Sequence, residues 1–281
     1  MGIALAKHWN TVVISADSRQ FYKETSIGTA KPSLDEQAGV NHYFVDSHSI
    51  HEPLTSAQFE KQALQVLENE FKNHEVIIMV GGSGLFIDAL CYGLDDIPHN
   101  VDVKNQLNQA FEENGLGDLL LELKEKDPDY YHTTDLKNPV RIIRALEVIR
   151  ISGKPYSSYQ KFEAQVRDFE IVKFVIDLPR ELLYQRINQR VDNMLEAGLL
   201  EEVKELVPFQ HLQTLNTVGY SELFRFLNNE ISIENAIELV KQNTRRYAKR
   251  QLTWFRRDQN NQWISKVEFE TQLQFVINQV N

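Results

Sequence analysis

The sequence contains almost no cysteine and no apolar run long enough to cross a membrane. Its single cysteine, Cys91, cannot close a disulfide within the chain or form a CxxC pair, so a zinc site built on cysteines is excluded. The longest aliphatic runs, such as residues 76–80, fall far short of the ~20 apolar residues that span a bilayer. No basic start followed by an apolar stretch marks a secretory leader. We therefore expect a cytoplasmic protein without a membrane segment.

The composition also lacks the bias of disordered or fibrous proteins. Hydrophobic residues make up 42% and charged residues 25% of the 281 residues, which is close to an average globular mixture. We find no internal repeat and no low-complexity tract. At roughly 100 to 200 residues per domain, this length allows one large domain or two smaller ones.

Positive charge is scarce overall but is concentrated in one segment. The chain carries 30 Lys and Arg against 40 Asp and Glu, a net charge of -10, which argues against non-specific coating of nucleic acid. Residues 241–257, here called the basic stripe, contain no acid, and steps of four and seven relate Arg246, Arg250 and Arg257 on a helix. A solvated face normally mixes both signs, so we favour phosphate binding over that alternative. The cations of the stripe are Lys241, Arg245, Arg246, Lys249, Arg250, Arg256 and Arg257.

Strand-like and helical segments alternate at both ends of the chain, with a purely helical region between them. The pattern predicts strands at residues 11–16, 42–45, 75–80 and 172–177, the third of them apolar enough to be covered on both faces. It predicts helices at residues 56–72 with Ser56 as N-cap, 103–114, 117–126, 139–151, 180–206, 232–254 and 270–279.

This order of elements predicts an α/β protein with a doubly wound parallel sheet. Residues 1–100 and 164–281 would form the sheet core. Residues 101–163, which have no strand signal, would form a helical insertion. Ligands of such folds gather at the carboxyl ends of the strands.

Polar side chains occupy two of these predicted strand ends. Asp17, Ser18, Arg19 and Gln20 follow the first strand, and Ser83 lies in a glycine turn after the third. Such side chains can take up a proton, position an anion and hydrogen-bond a planar amide-like edge. The alternative is an ordinary turn capped by Asp17, with glycines that allow a strand and a helix to pack closely. The glycine turn is not a P-loop, because it has no lysine.

Six segments in the same order resemble the tRNA dimethylallyltransferase family, also called tRNA isopentenyltransferases. Together they cover about residues 4–257, and their number and order make the resemblance specific. They read ISADSRQFY at residues 14–22, IGTAKP at 27–32, VGGSGLF at 80–86, RALEV with ISGKP at 144–155, VGY at 218–220 and TRRYAKRQLTWFR at 244–256.

The resemblance implies a P-loop-type core and a specific reaction. A dimethylallyl group would pass from dimethylallyl pyrophosphate to N6 of the adenosine at tRNA position 37, next to the anticodon, with Mg²⁺ as cofactor. Asp17 would act as general base and Ser83 would orient the amine or the carboxylate, while the insertion would grip the tRNA anticodon stem-loop. The chain is expected to be a monomer.

The resemblance also assigns residues to the two substrates. Arg246 and Arg250 would hold the pyrophosphate. The residues implied in tRNA binding are Asp17, Ser18, Arg19, Gln20, Arg141, Arg144, Arg245, Arg246, Lys249 and Arg250.

The sequence departs from the family pattern at its start. Family members begin with a strand and a glycine-rich P-loop, whereas residues 3–7 resemble the helix that follows that loop. We therefore expect either a truncated or mis-started member, or a catalytically silent tRNA-binding relative. Without that strand, the edges of residues 11–16 and 75–80 are expected to be exposed. A small-molecule kinase of the same fold is a further alternative, and it would need the GKT or GKS segment.

Overall fold

A computed structural model describes residues 1–95, 97–159 and 164–280. The chain divides into two compact units. The core unit consists of Met1–Cys91 and Arg167–Asn281, and the helical unit of Tyr92–Val166. Residues 160–163, the end of the predicted insertion, lie outside the described residues.

Parallel strands form the centre of the core unit. β1 (Val13–Ser15) lies between β2 (His42–Tyr43) and β3 (Ile78–Val80). A second parallel pair is formed by β4 (Phe174–Ile176) and β5 (Gln262–Ile264). The predicted α/β class with a parallel sheet is confirmed.

Two expectations about the strands are wrong. Residues 11–16 present no free edge, because β1 pairs on both sides and all of its residues are buried. β3 pairs with β1 on one side and, among the described residues, with no strand on the other. Nor is β3 covered on both faces, since Val80 is 43% exposed. β5 was not predicted, because Trp263 and Ile264 form too short an apolar run among polar residues.

Helices account for most of the remaining described chain. In chain order they are α1 (Gly2–His8), α2 (Leu34–Gln37), α3 (Ser56–Glu70), α4 (Gly84–Tyr92), α5 (Val101–Asn114), α6 (Gly117–Lys126), α7 (Pro128–Thr133), α8 (Pro139–Ser152), α9 (Arg180–Glu196), α10 (Leu199–Glu205), α11 (Tyr220–Leu227), α12 (Ile233–Phe255) and α13 (Phe269–Val280).

Several helix boundaries differ from the prediction by one or two residues, and two differences have clear local causes. The N-cap of α3 is Thr55, not Ser56. The Thr55 hydroxyl oxygen accepts the Gln58 N–H, and the Gln58 side-chain oxygen accepts the Thr55 N–H. The helix predicted at residues 180–206 is broken into α9 and α10, because Gly198 has a φ of +99° that continues neither helix.

The described residues of the core unit contain two apolar clusters, and the larger one supports the end of β1. The fully buried side chains of Ile14, Phe21, Phe59 and Tyr220 belong to it. The Phe21 and Phe59 rings stack with their centroids 5.6 Å apart. Because Phe21 follows the polar segment 17–20 directly, this packing fixes the backbone that carries Asp17.

The helical unit has its own apolar cluster, in which Leu107, Leu123, Ile142 and Leu146 are fully buried. Its helices α5, α6 and α8 supply these side chains. In neither unit is a described helix both long and apolar enough to cross a membrane.

Candidate active site

Asp17 and Ser83 follow neighbouring strands of the sheet. Asp17 comes shortly after β1 and Ser83 shortly after β3, and parallel pairing brings both to the same edge. The Ser18 N–H donates to Ser83 Oγ at 2.9 Å, and the Ser83 hydroxyl donates to Ser18 Oγ at 3.0 Å. The structure thus links the two predicted catalytic residues through Ser18.

Asp17 is a desolvated carboxylate close to two arginines. Its Oδ1 accepts the Arg19 N–H at 3.0 Å, as in the capped turn of the alternative interpretation. Burial raises the pKa of the Asp17 carboxyl above its ordinary value, although that hydrogen bond and the charges of Arg190 and Arg19 act in the opposite direction. A carboxylate with a raised pKa is a stronger base near neutral pH. Asp17 therefore has the property that a general base requires.

Arg19 and Gln20 are tied into the protein by their own hydrogen bonds. Arg19 Nη1 donates to the Thr214 carbonyl oxygen at 3.0 Å. Gln20 Nε2 donates to the carbonyl oxygens of Thr29 and Ala30 at 3.2 and 3.1 Å. In this geometry both side chains hold loops in place, and their contacts with RNA stay predictions.

α12 packs against the glycine turn that carries Ser83. Gln251 Nε2 donates to the Gly82 carbonyl oxygen at 2.8 Å. A Cβ atom at Gly84 would lie 2.3 Å from the Trp254 indole, and one at Gly82 would lie 1.9 Å from the Gln251 amide. The glycines therefore allow close packing of turn and helix, as the alternative interpretation holds.

Tyr247, one turn before Gln251 on α12, also reaches this site. Burial and the negative charge of Asp17 raise the pKa of the Tyr247 phenol, and a hydrogen bond with Ser83 acts in the opposite direction. The Arg250 guanidinium lies 5.5 Å from the centroid of the Tyr247 ring. The sequence analysis did not include Tyr247 among the site residues, and its position between the cations of the basic stripe was the available signal.

Arg190 on α9 is the second residue that the sequence analysis missed. Burial lowers the pKa of its guanidinium, and the Asp17 carboxylate acts against that shift. Arg190 lies in a helix with charges of both signs, so composition does not distinguish it. The recurrence of arginine at positions 186 and 190 was the only signal in the sequence.

Most of the basic stripe lies in the second half of α12. The side chains of Arg246, Lys249 and Arg250 are exposed and form no ion pair with any residue in the described ranges. Arg245 is more enclosed, and its Nη1 donates to Asn188 Oδ1 at 2.6 Å. The stripe therefore keeps unneutralised positive charge facing solvent.

The two predicted RNA-contacting arginines of the helical unit differ from each other. Arg141 is exposed in the first turn of α8. Arg144 Nη1 donates to the Pro98 carbonyl oxygen at 2.9 Å and to Glu147 Oε2 at 2.8 Å, and Nη2 donates to the Ile97 carbonyl oxygen at 3.2 Å. Arg144 thus fixes the segment before α5, and contact of either arginine with RNA stays a prediction.

Metal-ligating side chains do not cluster in the part of the chain that the structure describes. No three or more His, Cys, Asp or Glu side chains come together there to hold an ion. Cys91 is buried, and burial raises the pKa of its thiol to about 11, so it is protonated at neutral pH.

A parallel α/β core, a desolvated carboxylate at a strand end and an exposed cationic helix together suit an enzyme site for phosphate-bearing substrates. The chain belongs to the IPP transferase family, whose sequence model matches residues 20–258. The resemblance found in the sequence is thereby confirmed.

Individual relatives agree with this assignment over nearly the whole chain. The tRNA dimethylallyltransferase of Cytophaga hutchinsonii is 47% identical over 265 residues, which are 94% of this chain and 87% of that protein. tRNA dimethylallyltransferase 1 of Bacteroides thetaiotaomicron is 44% identical over 274 residues, 97% of this chain and 89% of that protein.

Solved structures show the same fold. The tRNA isopentenylpyrophosphate transferase of Bacillus halodurans matches with a TM-score of 0.71 and 34% identity, over 99% of this chain and 89% of that one. A eukaryotic dimethylallyltransferase, described as acting on tRNA, matches with a TM-score of 0.74 and 26% identity, over 90% of this chain and 65% of that one. The predicted P-loop-type fold is thus confirmed at the level of overall architecture.

Proposed function

We propose that this protein transfers the dimethylallyl group of dimethylallyl pyrophosphate to N6 of the adenosine at tRNA position 37. The observation that carries the proposal is the desolvated Asp17 carboxylate, whose neighbour Ser18 is hydrogen-bonded to Ser83, in a member of the IPP transferase family. Relatives named tRNA dimethylallyltransferase support the choice of substrates.

The proposed chemistry gives Asp17 and Ser83 distinct roles. The exocyclic amine of adenine is a weak nucleophile, because its lone pair is delocalised into the ring. In the transfer, the bond between N6 and the allylic carbon forms while the bond from that carbon to oxygen breaks, and pyrophosphate leaves with the electron pair. Asp17 accepts the proton that N6 loses, so that the product amine is neutral. Ser83, held by Ser18, orients the amine or the carboxylate.

The remaining predicted residues serve binding in this proposal. A stacked adenine hides its N6, so the base must be flipped out of the anticodon loop to reach Asp17. The exposed cations Arg246, Lys249 and Arg250 would contact RNA phosphates, and Arg246 and Arg250 also the pyrophosphate. The helical unit would grip the anticodon stem-loop.

Mg²⁺ is implied by the family resemblance, and no group of three or more His, Cys, Asp or Glu side chains among the described residues marks a site for it. Mg²⁺ commonly binds through one or two carboxylates together with substrate phosphates. We therefore assign no residue to the ion and no step of the reaction to it. The monomeric state and the cytoplasmic location also stay predictions.

The test offers the protein an anticodon stem-loop RNA and dimethylallyl pyrophosphate. We expect the RNA to gain the mass of one dimethylallyl group, located by nuclease digestion at position 37. The matched control is a stem-loop with guanosine at that position, which should gain nothing.

The possible outcomes separate the alternatives. Binding of the stem-loop without any transfer would favour the catalytically silent tRNA-binding relative. Transfer to the guanosine control would show that the assigned acceptor atom is wrong. If the stem-loop neither binds nor gains a dimethylallyl group, both interpretations are contradicted.

A further inference from the structure

One face of α12 packs along the glycine turn on both sides of Ser83. Gln251 Nε2 donates to the carbonyl oxygen of Gly82, the residue before Ser83. The Trp254 indole covers Gly84, the residue after Ser83, so closely that a Cβ atom there would lie 2.3 Å from it. Two side chains of one helix therefore hold the backbone that carries Ser83.

A directional hydrogen bond fixes the Trp254 end of this contact. Trp254 Nε1 donates to Asp88 Oδ2 at 2.8 Å. Asp88 lies on α4, one turn after Gly84, so the bond joins α4 and α12 directly beside the glycine turn. Apolar packing has no preferred direction, whereas a hydrogen bond weakens steeply when donor and acceptor lose their alignment. The bond therefore fixes where α12 lies along α4.

The acceptor of this bond is a carboxylate in a half-buried position. Burial raises the pKa of the Asp88 carboxyl, while the hydrogen bond from Trp254 and the charges of Lys173 and Arg257 act in the opposite direction. The Arg257 guanidinium also lies 5.1 Å from the centroid of the Trp254 ring. Lys173 pairs with Asp258 as well. Cations on two sides therefore offset the cost of placing this carboxylate against the indole.

A displacement of α12 would reach the groups assigned to the reaction. Tyr247 lies two turns before Trp254 on the same helix, and its phenol interacts with Ser83 and with the charge of Asp17. Ser83 exchanges two hydrogen bonds with Ser18, the neighbour of Asp17. A misplacement of reacting groups by about 1 Å can slow a reaction by roughly 10²-fold.

We propose that Asp88 and Trp254 are positioning residues for the transfer, because their hydrogen bond fixes α12 on α4 and thereby holds Ser83 in place. The two residues act through the glycine turn and Tyr247, and not by contact with a substrate. The inference rests on the proposed function, since it assigns both residues a part in the same reaction. Loss of the bond should slow the transfer step and leave RNA binding by the exposed cations of the basic stripe unchanged.

The first experiment measures the single-turnover transfer rate with saturating stem-loop and dimethylallyl pyrophosphate. Trp254→Phe keeps a ring over Gly84 but loses the N–H donor, and Asp88→Leu loses the acceptor. Each should lower the rate about tenfold to a hundredfold, while affinity for the stem-loop stays within about twofold. The double variant should be no slower than either single variant, because only one bond can be lost. The matched control is Trp9→Phe, whose indole donates no hydrogen bond within the described part of the chain.

Two further variants separate positioning from a general loss of stability. Asp88→Asn keeps an oxygen that can accept the indole N–H, so its transfer rate should stay within about threefold of the unmodified rate. In a Ser83→Ala background, Trp254→Phe should cause little further loss, because the group that the bond positions is gone. A general structural defect would lower the rate by the same factor in both backgrounds. Thermal melting checks that each variant is folded.

Hydrogen exchange tests the same bond without reference to activity. The Ser83 N–H donates to the Ala16 carbonyl oxygen at 3.3 Å, and the Ile87 N–H donates to the Ser83 carbonyl oxygen at 3.1 Å. A turn that is held in place protects these amides from exchange. Trp254→Phe and Asp88→Leu should both speed exchange in residues 83–87, while residues 142–146 of the helical unit keep their rates.

Three results would overturn the inference while the proposed function stands. They are an unchanged rate in Trp254→Phe and Asp88→Leu, an equal loss in both Ser83 backgrounds, and a loss in Asp88→Asn as large as in Asp88→Leu, which would assign the effect to the charge of Asp88. If the unmodified protein transfers nothing, the proposed function fails. Exchange then decides whether the bond holds the turn, and unchanged exchange in residues 83–87 overturns that as well.

Discussion

At the scale of single residues, Asp17 gives the clearest prediction. Asp17→Asn removes the proton acceptor but keeps an oxygen that can accept the Arg19 N–H. We expect the single-turnover transfer rate to fall by roughly 10² to 10⁴-fold, while affinity for the stem-loop stays nearly unchanged. Weakened binding with normal turnover would instead assign Asp17 to RNA contact.

The pH dependence follows from the raised pKa of the same carboxyl. The transfer rate should fall as the pH drops through the pKa of Asp17, which lies above the ordinary value of about 3.9. Because folding raises this pKa, the folded state binds the proton more tightly than the unfolded state. Ionised Asp17 therefore costs stability at neutral pH, and this cost disappears as the pH falls. The Asn variant should melt no lower than the unmodified protein at neutral pH.

Sequence reasoning located Asp17 and Ser83 but could not give the surroundings of the other site residues. Polar residues at the carboxyl ends of parallel strands share one edge of the sheet, and this rule was enough to place Asp17 and Ser83 together. Gln20 and Arg144 are engaged by carbonyl oxygens that no side-chain pattern reveals. Tyr247 and Arg190 come from helices far along the chain, so only the folded structure brings them to Asp17.

At the scale of elements, the basic stripe on α12 contacts the site on one face of the helix and solvent on the other. Its inward face holds the glycine turn through Gln251, while Arg246 and Arg250 remain exposed. Replacing Arg246 and Arg250 leaves the Gln251 contact in place, although the Arg250 guanidinium also lies 5.5 Å from the centroid of the Tyr247 ring.

The double variant Arg246→Ala/Arg250→Ala should weaken binding of the stem-loop. The slope of log affinity against log salt should become shallower by about one unit for each lost phosphate contact. Binding measured from low to moderate salt gives this slope, with Arg225→Ala as the control. An unchanged slope would show that the exposed cations do not contact phosphates.

Helices were predicted correctly where capping residues and apolar periodicity were both clear, and predictions failed where one of these signals was missing. The apolar periodicity of α6 gave both of its ends correctly, since Gly117 and Lys126 were the predicted limits. α11 was not predicted although its apolar residues recur at helical spacing, because Gly219 has no side chain that could mark the start of a helix. The break between α9 and α10 depends on a positive φ at Gly198, which an isolated glycine in a helical pattern does not reveal.

At the scale of the whole molecule, each unit has apolar clusters of its own, one in the helical unit and two in the core unit among the described residues. Leu146 is fully buried in the helical unit, and Leu223 is fully buried in the core unit. The three tryptophans, Trp9, Trp254 and Trp263, all belong to the core unit. Tryptophan fluorescence therefore reports on the core unit alone, whereas far-ultraviolet circular dichroism reports on the helices of both.

We expect the two signals to give different unfolding transitions in urea, because each unit has a core of its own. Leu146→Ala should destabilise the helical unit by about 2 to 5 kcal/mol and move the dichroism transition, while the fluorescence midpoint stays in place. The matched variant Leu223→Ala should move the fluorescence midpoint. If the two transitions coincide and Leu146→Ala shifts both equally, the two units unfold as one cooperative body. The predicted insertion would then not be an independent folding unit.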